Sequence, residues 1–591
     1  MSLLAALLHA GWIRTVDHAL GASMRHARDQ TPDWVQSAAA LASRALANGH
    51  SRLPLSRLGE LFAEIDPERE PPGLPPLDEW LSVLAASPWV RTANAASDAN
   101  GPDDALDRIL ILEGDAISLR RYWNYECRLA DALLARVETD AADGAGGVDS
   151  AGGVDSAGAA DGVGGAGGAI AQRLRLVTGG PGTGKTTQVA QLLVAFAARA
   201  GVTPRILLAA PTGKAASRLS EAVRESLAAL VRDGKVDASI AALLPTEAST
   251  LHRLLGWRRD GGFRYDRDNP LPADLVVVDE ASMVDLPMMT RLAEAVPADA
   301  ALVLVGDRDQ LPSVETGDVL AALCDASERD GSPLAAHRLQ LRTSHRLAAD
   351  IDVGELAELV RRGDANGVLL GLDAGRFRGA QWRSDGDRAL HDAVLADALP
   401  HYLALARQPD VASALGASHG YRVLCAVREG AAGSITLNAA LGRALDPLRG
   451  GEAWFKGRLV LITQNSYRQQ LFNGDIGIAW PDEQGEPRVW FDSDAGPRAW
   501  LPAALPAHEP AFALTVHKSQ GSEFDTVFLT LPERGARVLS RELLYTGLTR
   551  CRRQVLLWAS EDALREAIGR RAQRWSGLAE RLSVAAHRRA S

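Results

Sequence analysis

Residues 179–186 read Gly-Gly-Pro-Gly-Thr-Gly-Lys-Thr, a glycine-rich turn closed by a lysine and a hydroxyl residue. The run Leu174–Val177 before it is short and apolar, and Thr187–Ala200 after it carries apolar residues at helical spacing. Strand, glycine-rich loop and helix in that order make a phosphate cradle. Successive backbone N–H groups wrap phosphate oxygens, and the helix N-terminus adds its dipole. The spacing assigns nucleotide binding to Gly179, Gly180, Pro181, Gly182, Thr183, Gly184, Lys185, Thr186 and Thr187. Lys185 is expected at the β/γ-phosphates and the Thr186 hydroxyl on Mg²⁺.

The chain beyond this loop has the texture of a parallel sheet. Apolar runs at Ile206–Ala209, Leu275–Val278, Ala301–Val305, Val423–Val427, Val527–Leu531 and Val555–Trp558 alternate with helical stretches. Buried parallel strands with crossover helices read this way. Leu275–Val278 ends in Asp279-Glu280. Two carboxylates at a strand end, downstream of a P-loop, suit an ATPase: Asp279 to hold Mg²⁺ and Glu280 to activate the attacking water. A strand-end aspartate also serves as a simple helix cap. The run ending at Val305 leads into Gly306-Asp307-Arg308-Asp309-Gln310-Leu311-Pro312, where Gln310 could hydrogen-bond the γ-phosphate or that water.

Other stretches mark organisation. Between Trp454 and about Pro506, short runs punctuated by Gly and Pro (Gly457–Thr463, Ile476–Trp480, Arg488–Phe491) indicate a small all-β insertion. Trp257–Tyr265 reads as a hairpin turned by Asp260-Gly261-Gly262. Phe263 or Tyr265 would stand near its tip. From Met1 to about Thr139 apolar residues recur at helical spacing, broken by prolines at 71–76. The stretch 141–168 is nearly all Gly, Ala, Asp, Ser and Val, and Ala-Gly-Gly-Val-Asp-Ser at 145–150 repeats at 151–156. It cannot bury enough apolar surface to offset its ordering entropy and is expected to be a flexible linker.

Composition bounds the rest. The chain has 591 residues, which suggests several domains, and 64 Lys and Arg against 74 Asp and Glu give a net charge of −10. That balance argues against non-specific coating of nucleic acid, so any such contact belongs to a local groove. No apolar run approaches a membrane span, and the N-terminus lacks the basic segment of a signal peptide. The four cysteines, Cys127, Cys324, Cys425 and Cys551, are too scattered for a disulfide scaffold, zinc ribbon or iron–sulfur site. A cytoplasmic location without membrane contact is expected. Only five residues are Lys, and three of them, Lys185, Lys214 and Lys518, lie in motifs. Asp233-Gly234-Lys235 reads as a surface turn rather than part of a nuclease site.

Four segments, Gly179–Thr187, Ala210–Ala216, Val277–Met283 and Gly306–Pro312, resemble in order motifs I, Ia, II and III of superfamily 1 helicases. Thr343–Arg346, Leu514–Phe524 and Tyr545–Arg550 resemble motifs IV, V and VI. Leu424–Gly430, Leu471–Gly477 and the full run Gly306–Thr316 are similar to the RecD family, the α subunits of the bacterial RecBCD enzyme, exodeoxyribonuclease V. The resemblance is specific over about residues 170–560 and reaches the N-terminal part only through length and helical character.

It implies an α/β fold with two RecA-like P-loop lobes built on parallel sheets, a helical N-terminal domain and an SH3-like β insertion in the second lobe. The expected parts are 1–125 for partner docking, 126–169 as linker, 170–340 as lobe 1, 341–450 and 510–591 as lobe 2, and 451–509 as the insertion. It also implies a 5′→3′ helicase that binds ATP and Mg²⁺ between the lobes, with Arg346 and Arg550 reaching the γ-phosphate as arginine fingers. Single-stranded DNA would cross Thr212, Lys214 and His252 on lobe 1, and Thr515, His517, Lys518 and Ser519 on lobe 2. The 257–265 hairpin, lying between motifs Ia and II, would then be a strand-separating pin with Phe263 or Tyr265 near its tip, or else a surface hairpin that simply packs. The implied assembly is a heterotrimer with RecB-like and RecC-like subunits acting on duplex ends, in which the nuclease belongs to another subunit. A stand-alone relative and an ATP-binding regulatory subunit without translocation are the alternatives. One departure is plain: relatives carry a helix with an adenine-reading glutamine before the P-loop strand, and here only Gln172 stands near it.

Overall fold

In a computed structural model of the chain, the described residues are 2–66, 69–93, 108–144, 172–199, 203–258, 261–341, 352–445, 452–466, 468–493, 496–533 and 538–589. The N-terminal part packs helices Leu3–His9, Thr15–Ala27, Asp33–Ala47, Leu58–Ile65 and Leu77–Ala85 with a sheet of four short strands. These are β1 (Leu53–Pro54), β2 (Val90–Thr92), β3 (Leu110–Glu113) and β4 (Ala116–Leu119), ordered β1-β4-β3-β2. Apolar spacing reveals the helices but not the sheet. β3 and β4 are each four residues long and bury three consecutive residues, so no period-2 alternation announces them. Trp12, Leu41, Phe62 and Trp80 fill the core, and Trp575 from the far end of the chain joins them.

Helix Arg120–Gly144 crosses the boundary expected at 125/126. Residues 126–137, read as the start of a linker, instead pack on the first lobe. Leu129, Leu133 and Leu134 share a core with Met289 and Leu292 of helix Leu286–Ala295. The buried Arg136 guanidinium donates to the carbonyls of Ala293, Val296, Pro297 and Ala300, satisfying the end of that helix. Burial pulls its pKa down to about 10. The repeat at 145–156 lies outside the described residues.

Lobe 1 is a six-stranded, wholly parallel sheet. Its strands are β5 (Leu174–Gly179), β6 (Ile206–Ala210), β7 (Ala248–Thr250), β8 (Leu275–Val278), β9 (Ala301–Gly306) and β10 (Arg338–Leu341), ordered β10-β5-β9-β8-β6-β7. Every residue of β8 and β9 is buried, as expected of strands covered on both faces. Separate apolar cores lie on the two sides of the sheet.

Lobe 2 begins with β11 (Ala380–Arg383) and β12 (Tyr421–Cys425). The chain then leaves for an antiparallel sheet of β13 (Leu459–Ile462), β14 (Ile476–Pro481), β15 (Pro487–Phe491), β16 (Arg498–Trp500) and β17 (His508–Pro510). It returns as β18 (Ala513–Thr515), β19 (Phe524–Thr530) and β20 (Cys551–Trp558), giving a parallel sheet ordered β11-β20-β19-β12-β18. After helix Glu561–Gly569 the chain crosses back, and Leu578 and Leu582 of helix Leu578–Arg589 enter the core of lobe 1.

Candidate functional site

The C-terminal ends of parallel strands are where an open α/β sheet places its ligands. β5 ends at Gly179, β6 leads to Pro211, β8 to Asp279, and β9 ends at Gly306. The sequence-derived motifs therefore share one edge. Gly182 and Gly184 adopt φ of +74° and +81°, which folds the loop back before helix Lys185–Arg199 begins. The Thr183 hydroxyl donates to the Gly180 carbonyl at 2.8 Å. The Lys185 ammonium is parked on its own loop, donating to Gly179 at 2.8 Å and Gly180 at 3.0 Å.

A cleft of about 420 Å³ opens beside the loop. Its walls include Gly182, Gly184, Lys185, Thr186, Thr187, Asp279, Glu280 and Gln310 from lobe 1, and Gly521, Glu523 and Arg550 from lobe 2. Glu280 stands in the left-handed region at φ +51°, a conformation that costs a non-glycine residue and often marks a functional position. Its backbone N–H donates to the Asp279 carboxylate at 2.9 Å. Burial, then the neighbouring Glu280 charge, pushes Asp279 up to about 6. A divalent cation suits that spot: hard oxygen donors, the Thr186 hydroxyl on the same cleft, and a carboxylate whose ionisation a positive charge would favour.

Gln310 is buried and donates to Asp307 at 3.2 Å. The lobes are tied together around it. Tyr545 donates from its hydroxyl to the same Asp307 carboxylate at 3.0 Å, the Leu311 N–H donates to Thr546 Oγ1 at 2.9 Å, and Gln520 donates to the Leu311 carbonyl at 3.3 Å. Arg550 is buried, anchored on the carbonyls of Thr546 and Ser522, and close enough to Glu280 for their charges to interact. Arg346, the other expected finger, lies outside the described residues.

Sequence reading missed Arg218. Its guanidinium donates to the Gly521 carbonyl at 2.8 Å and pairs with Glu523 at 3.2 Å, bridging the lobes at the cleft mouth. One arginine on a helix, in a chain with so many, sends no signal. Gln172 is bonded to the Ala336 carbonyl and to Arg175, before the start of β5, roughly 20 Å from the P-loop at ~3.3 Å per residue. It does not stand in for the missing adenine-reading glutamine.

The DNA candidates fare unevenly. Thr212 caps helix Gly213–Arg232 by accepting from Ala215, and Lys214 is pulled down to about 8 by burial beside Arg218 and Arg422. His252 is exposed, with its ring centroid 6.1 Å from that of Phe263. Thr515 accepts from the Lys518 N–H, and the Lys518 ammonium pairs with Glu509. His517 is held below its usual pKa by burial and by Arg574. Ser519, by contrast, is fully buried in the short turn His517–Ser519, and its hydroxyl donates to the Val516 carbonyl at 2.7 Å.

The hairpin exists as a Trp257–Phe263 bridge, but its aromatic display is reversed. Phe263 and Tyr265 pack against the core of lobe 1, with the Arg291 guanidinium 4.8 Å from the Phe263 ring, while Trp257 is 46% exposed. Asp260 of the expected turn lies outside the described residues. Asp233 and Lys235 form an ion pair of 3.4 Å in an exposed turn at the end of helix Gly213–Arg232.

Among protein families, the N-terminal domain of the RecBCD enzyme subunit RecD matches residues 9–102, the AAA domain 165–316, and the UvrD-like helicase C-terminal domain 510–558. The RecBCD enzyme subunit RecD of Mycobacterium tuberculosis is 39% identical over 94% of this chain and 92% of its own length. The ATP-dependent RecD2 DNA helicase of Deinococcus radiodurans is 34% identical over 69% of this chain but only 50% of its own. The structure of Bacteroides Pif1 bound to single-stranded DNA aligns with 66% of this chain at a TM-score of 0.36 and 17% identity.

Proposed function

The chain belongs to the family of RecD subunits of the RecBCD enzyme, and from that premise we propose how its cleft and surfaces work. It is an ATP-dependent DNA helicase. Its proposed setting is the cytoplasm, in a 1:1:1 complex with RecB-like and RecC-like subunits that processes duplex ends. Among the described residues no helix is long and apolar enough to cross a membrane. The match to nearly the whole length of a RecBCD subunit, against half of a RecD2 helicase, favours the subunit over the stand-alone enzyme.

One observation carries the reading of the site: Lys185, Asp279, Glu280 and Gln310 of lobe 1 share a cleft with Arg550 of lobe 2. Backbone N–H groups of the loop, with Lys185 swung off its carbonyls, would hold the β- and γ-phosphates. Thr186 and Asp279 would hold Mg²⁺, which when bound neutralises phosphate charge. Glu280 would orient and deprotonate the attacking water. Gln310 and Arg550 would meet the γ-phosphate from opposite lobes, which makes hydrolysis depend on the cleft being closed. The base and ribose have room in an adjoining cavity of about 780 Å³, bounded by Gly179, Pro181, Gln340, Arg361 and Tyr545.

Thr212, Lys214 and His252 on one lobe, and Thr515, His517 and Lys518 on the other, are proposed to grip single-stranded DNA through its backbone, so that closure and opening of the cleft advance the strand 5′→3′. Backbone contacts carry no sequence information, as a motor requires. The test is ATP turnover with and without oligo(dT). Turnover should rise with DNA and vanish in Lys185→Gln. DNA-independent turnover, or turnover surviving that substitution, would refute the reading. A purely regulatory ATP-binding role is disfavoured by the complete set Glu280, Gln310 and Arg550 lining the cleft.

A further inference from the structure

Three parts of the chain far apart in sequence meet on the loop that follows Gln310. One side of that loop is held by Thr546 and Gln520 of lobe 2, as described above. The other side is held from outside both lobes. Arg574, in the segment crossing from lobe 2 back to lobe 1, donates through Nη2 to the Ser313 carbonyl at 3.0 Å and through Nη1 to the Glu315 carbonyl at 3.2 Å. The N-terminal domain adds two more bonds: the Gly317 N–H donates to the Gly49 carbonyl at 2.9 Å, and the Thr316 hydroxyl to the Leu46 carbonyl at 3.3 Å.

The N-terminal domain also decides where Arg574 lies. Gly49 has φ +94°, and a Cβ built there would coincide with the Arg574 guanidinium, so only glycine leaves room for the arginine to pass. The next residue, Trp575, stacks on His50 with ring centroids 4.1 Å apart. Its N–H donates to His50 Nδ1 at 3.1 Å, and its carbonyl accepts from Ser51 at 2.9 Å. A fork-shaped guanidinium bonding two carbonyls of one loop fixes the loop's shape as well as its position. Ser313 lies three residues from Gln310, on the same loop.

We propose that Arg574 is a positioning residue for ATP hydrolysis, seated by Gly49 and His50, so that the N-terminal domain sets the geometry of the Gln310 loop. A partner that shifts the N-terminal domain thereby acts on turnover without touching the nucleotide. The proposal rests on the reading of the Lys185–Gln310 cleft as the hydrolytic site.

The experiment uses the full-length chain with its partner subunits, taking the turnover that Lys185→Gln removes as this chain's own. Arg574→Ala and Gly49→Ala should each lower kcat about tenfold, with KM for ATP and the apparent affinity for oligo(dT) changed less than about twofold. Arg574→Lys should recover part of the loss, because an ammonium can reach one of the two carbonyls. The double variant should be no worse than the poorer single, since both changes break one junction. Unchanged kcat in both single variants overturns the proposal. So does a loss that appears in oligo(dT) affinity, which would make Arg574 a DNA contact, or a loss that only tracks the fraction of chain still binding nucleotide, which would make it structural. Should Arg574→Ala fail to fold, Arg574→Lys and Gly49→Ala decide by the same criteria. If Lys185→Gln removes no turnover, the reading of the cleft fails instead.

Discussion

Lys185 spends its ammonium on the carbonyls of Gly179 and Gly180, and Gln310 its amide on Asp307. Both sets of bonds are ones a phosphate would replace, so the cleft is held in shape by its own binding groups. Lys185→Gln keeps length and loses charge; we expect at least a ~100-fold fall in DNA-stimulated turnover with an unchanged circular dichroism spectrum. Turnover within a few-fold of the parent would contradict the assignment. Asp318 offers a different test. It caps helix Val319–Ser327 by accepting from Ala321, and burial pushes it up to about 6 despite Arg574. A carboxyl raised in the folded state, but ordinary in the unfolded chain, costs stability once it ionises in the fold. That cost is absent below about pH 4 and complete above about pH 6. Asp318→Asn keeps the cap and removes the charge, so it should be more stable than the parent at pH 7.5 by about 1–3 kcal/mol. The difference should shrink towards pH 4, and a variant less stable at pH 7.5 would refute this. Motif spacing made most cleft residues legible because phosphate chemistry demands fixed residue types in order. It could not separate Ser519 from Thr515, because whether a hydroxyl faces solvent or its own backbone depends on a local turn.

At the scale of elements, the apolar runs beyond residue 170 are legible because central parallel strands must be apolar on both faces. Edge strands carry no such demand. β10, Arg-Leu-Gln-Leu, and β11, Ala-Gln-Trp-Arg, are only partly buried and read as nothing in particular. The N-terminal sheet hides for the opposite reason, with strands too short to show a period. The hairpin was legible as a hairpin, but which aromatic it offers was decided by packing against Arg291 and the lobe 1 core. Trp257→Ala should therefore leave the melting temperature unchanged and single-strand-stimulated turnover intact while impairing duplex unwinding. Phe263→Ala should destabilise by about 1–3 kcal/mol. The reverse pattern, with Trp257 as the stabilising residue and Phe263 as the one unwinding needs, would overturn the description.

On the scale of the whole molecule, the parts are laced together by the end of the chain. Glu126 on helix Arg120–Gly144 accepts from Ser51, Ser576 and Gly577 and pairs with Arg581, so the N-terminal domain, lobe 1 and the C-terminal segment share one carboxylate. Removing residues 2–119 would strip Trp575 of its stacking partner His50; the remaining chain should melt at least about 5 °C lower and lose co-purification with RecB-like and RecC-like subunits. An unchanged melting temperature, or intact assembly, would contradict the lacing or the docking role respectively. The central claim is that the cleft drives movement along a single strand. Its most direct measurement is ATP-driven displacement of streptavidin from oligonucleotides biotinylated at either end, by the assembled complex with and without Lys185→Gln. The substitution should remove displacement from the 3′ end, as a 5′→3′ motor requires; loss at the 5′ end, or no loss at either, would contradict the account.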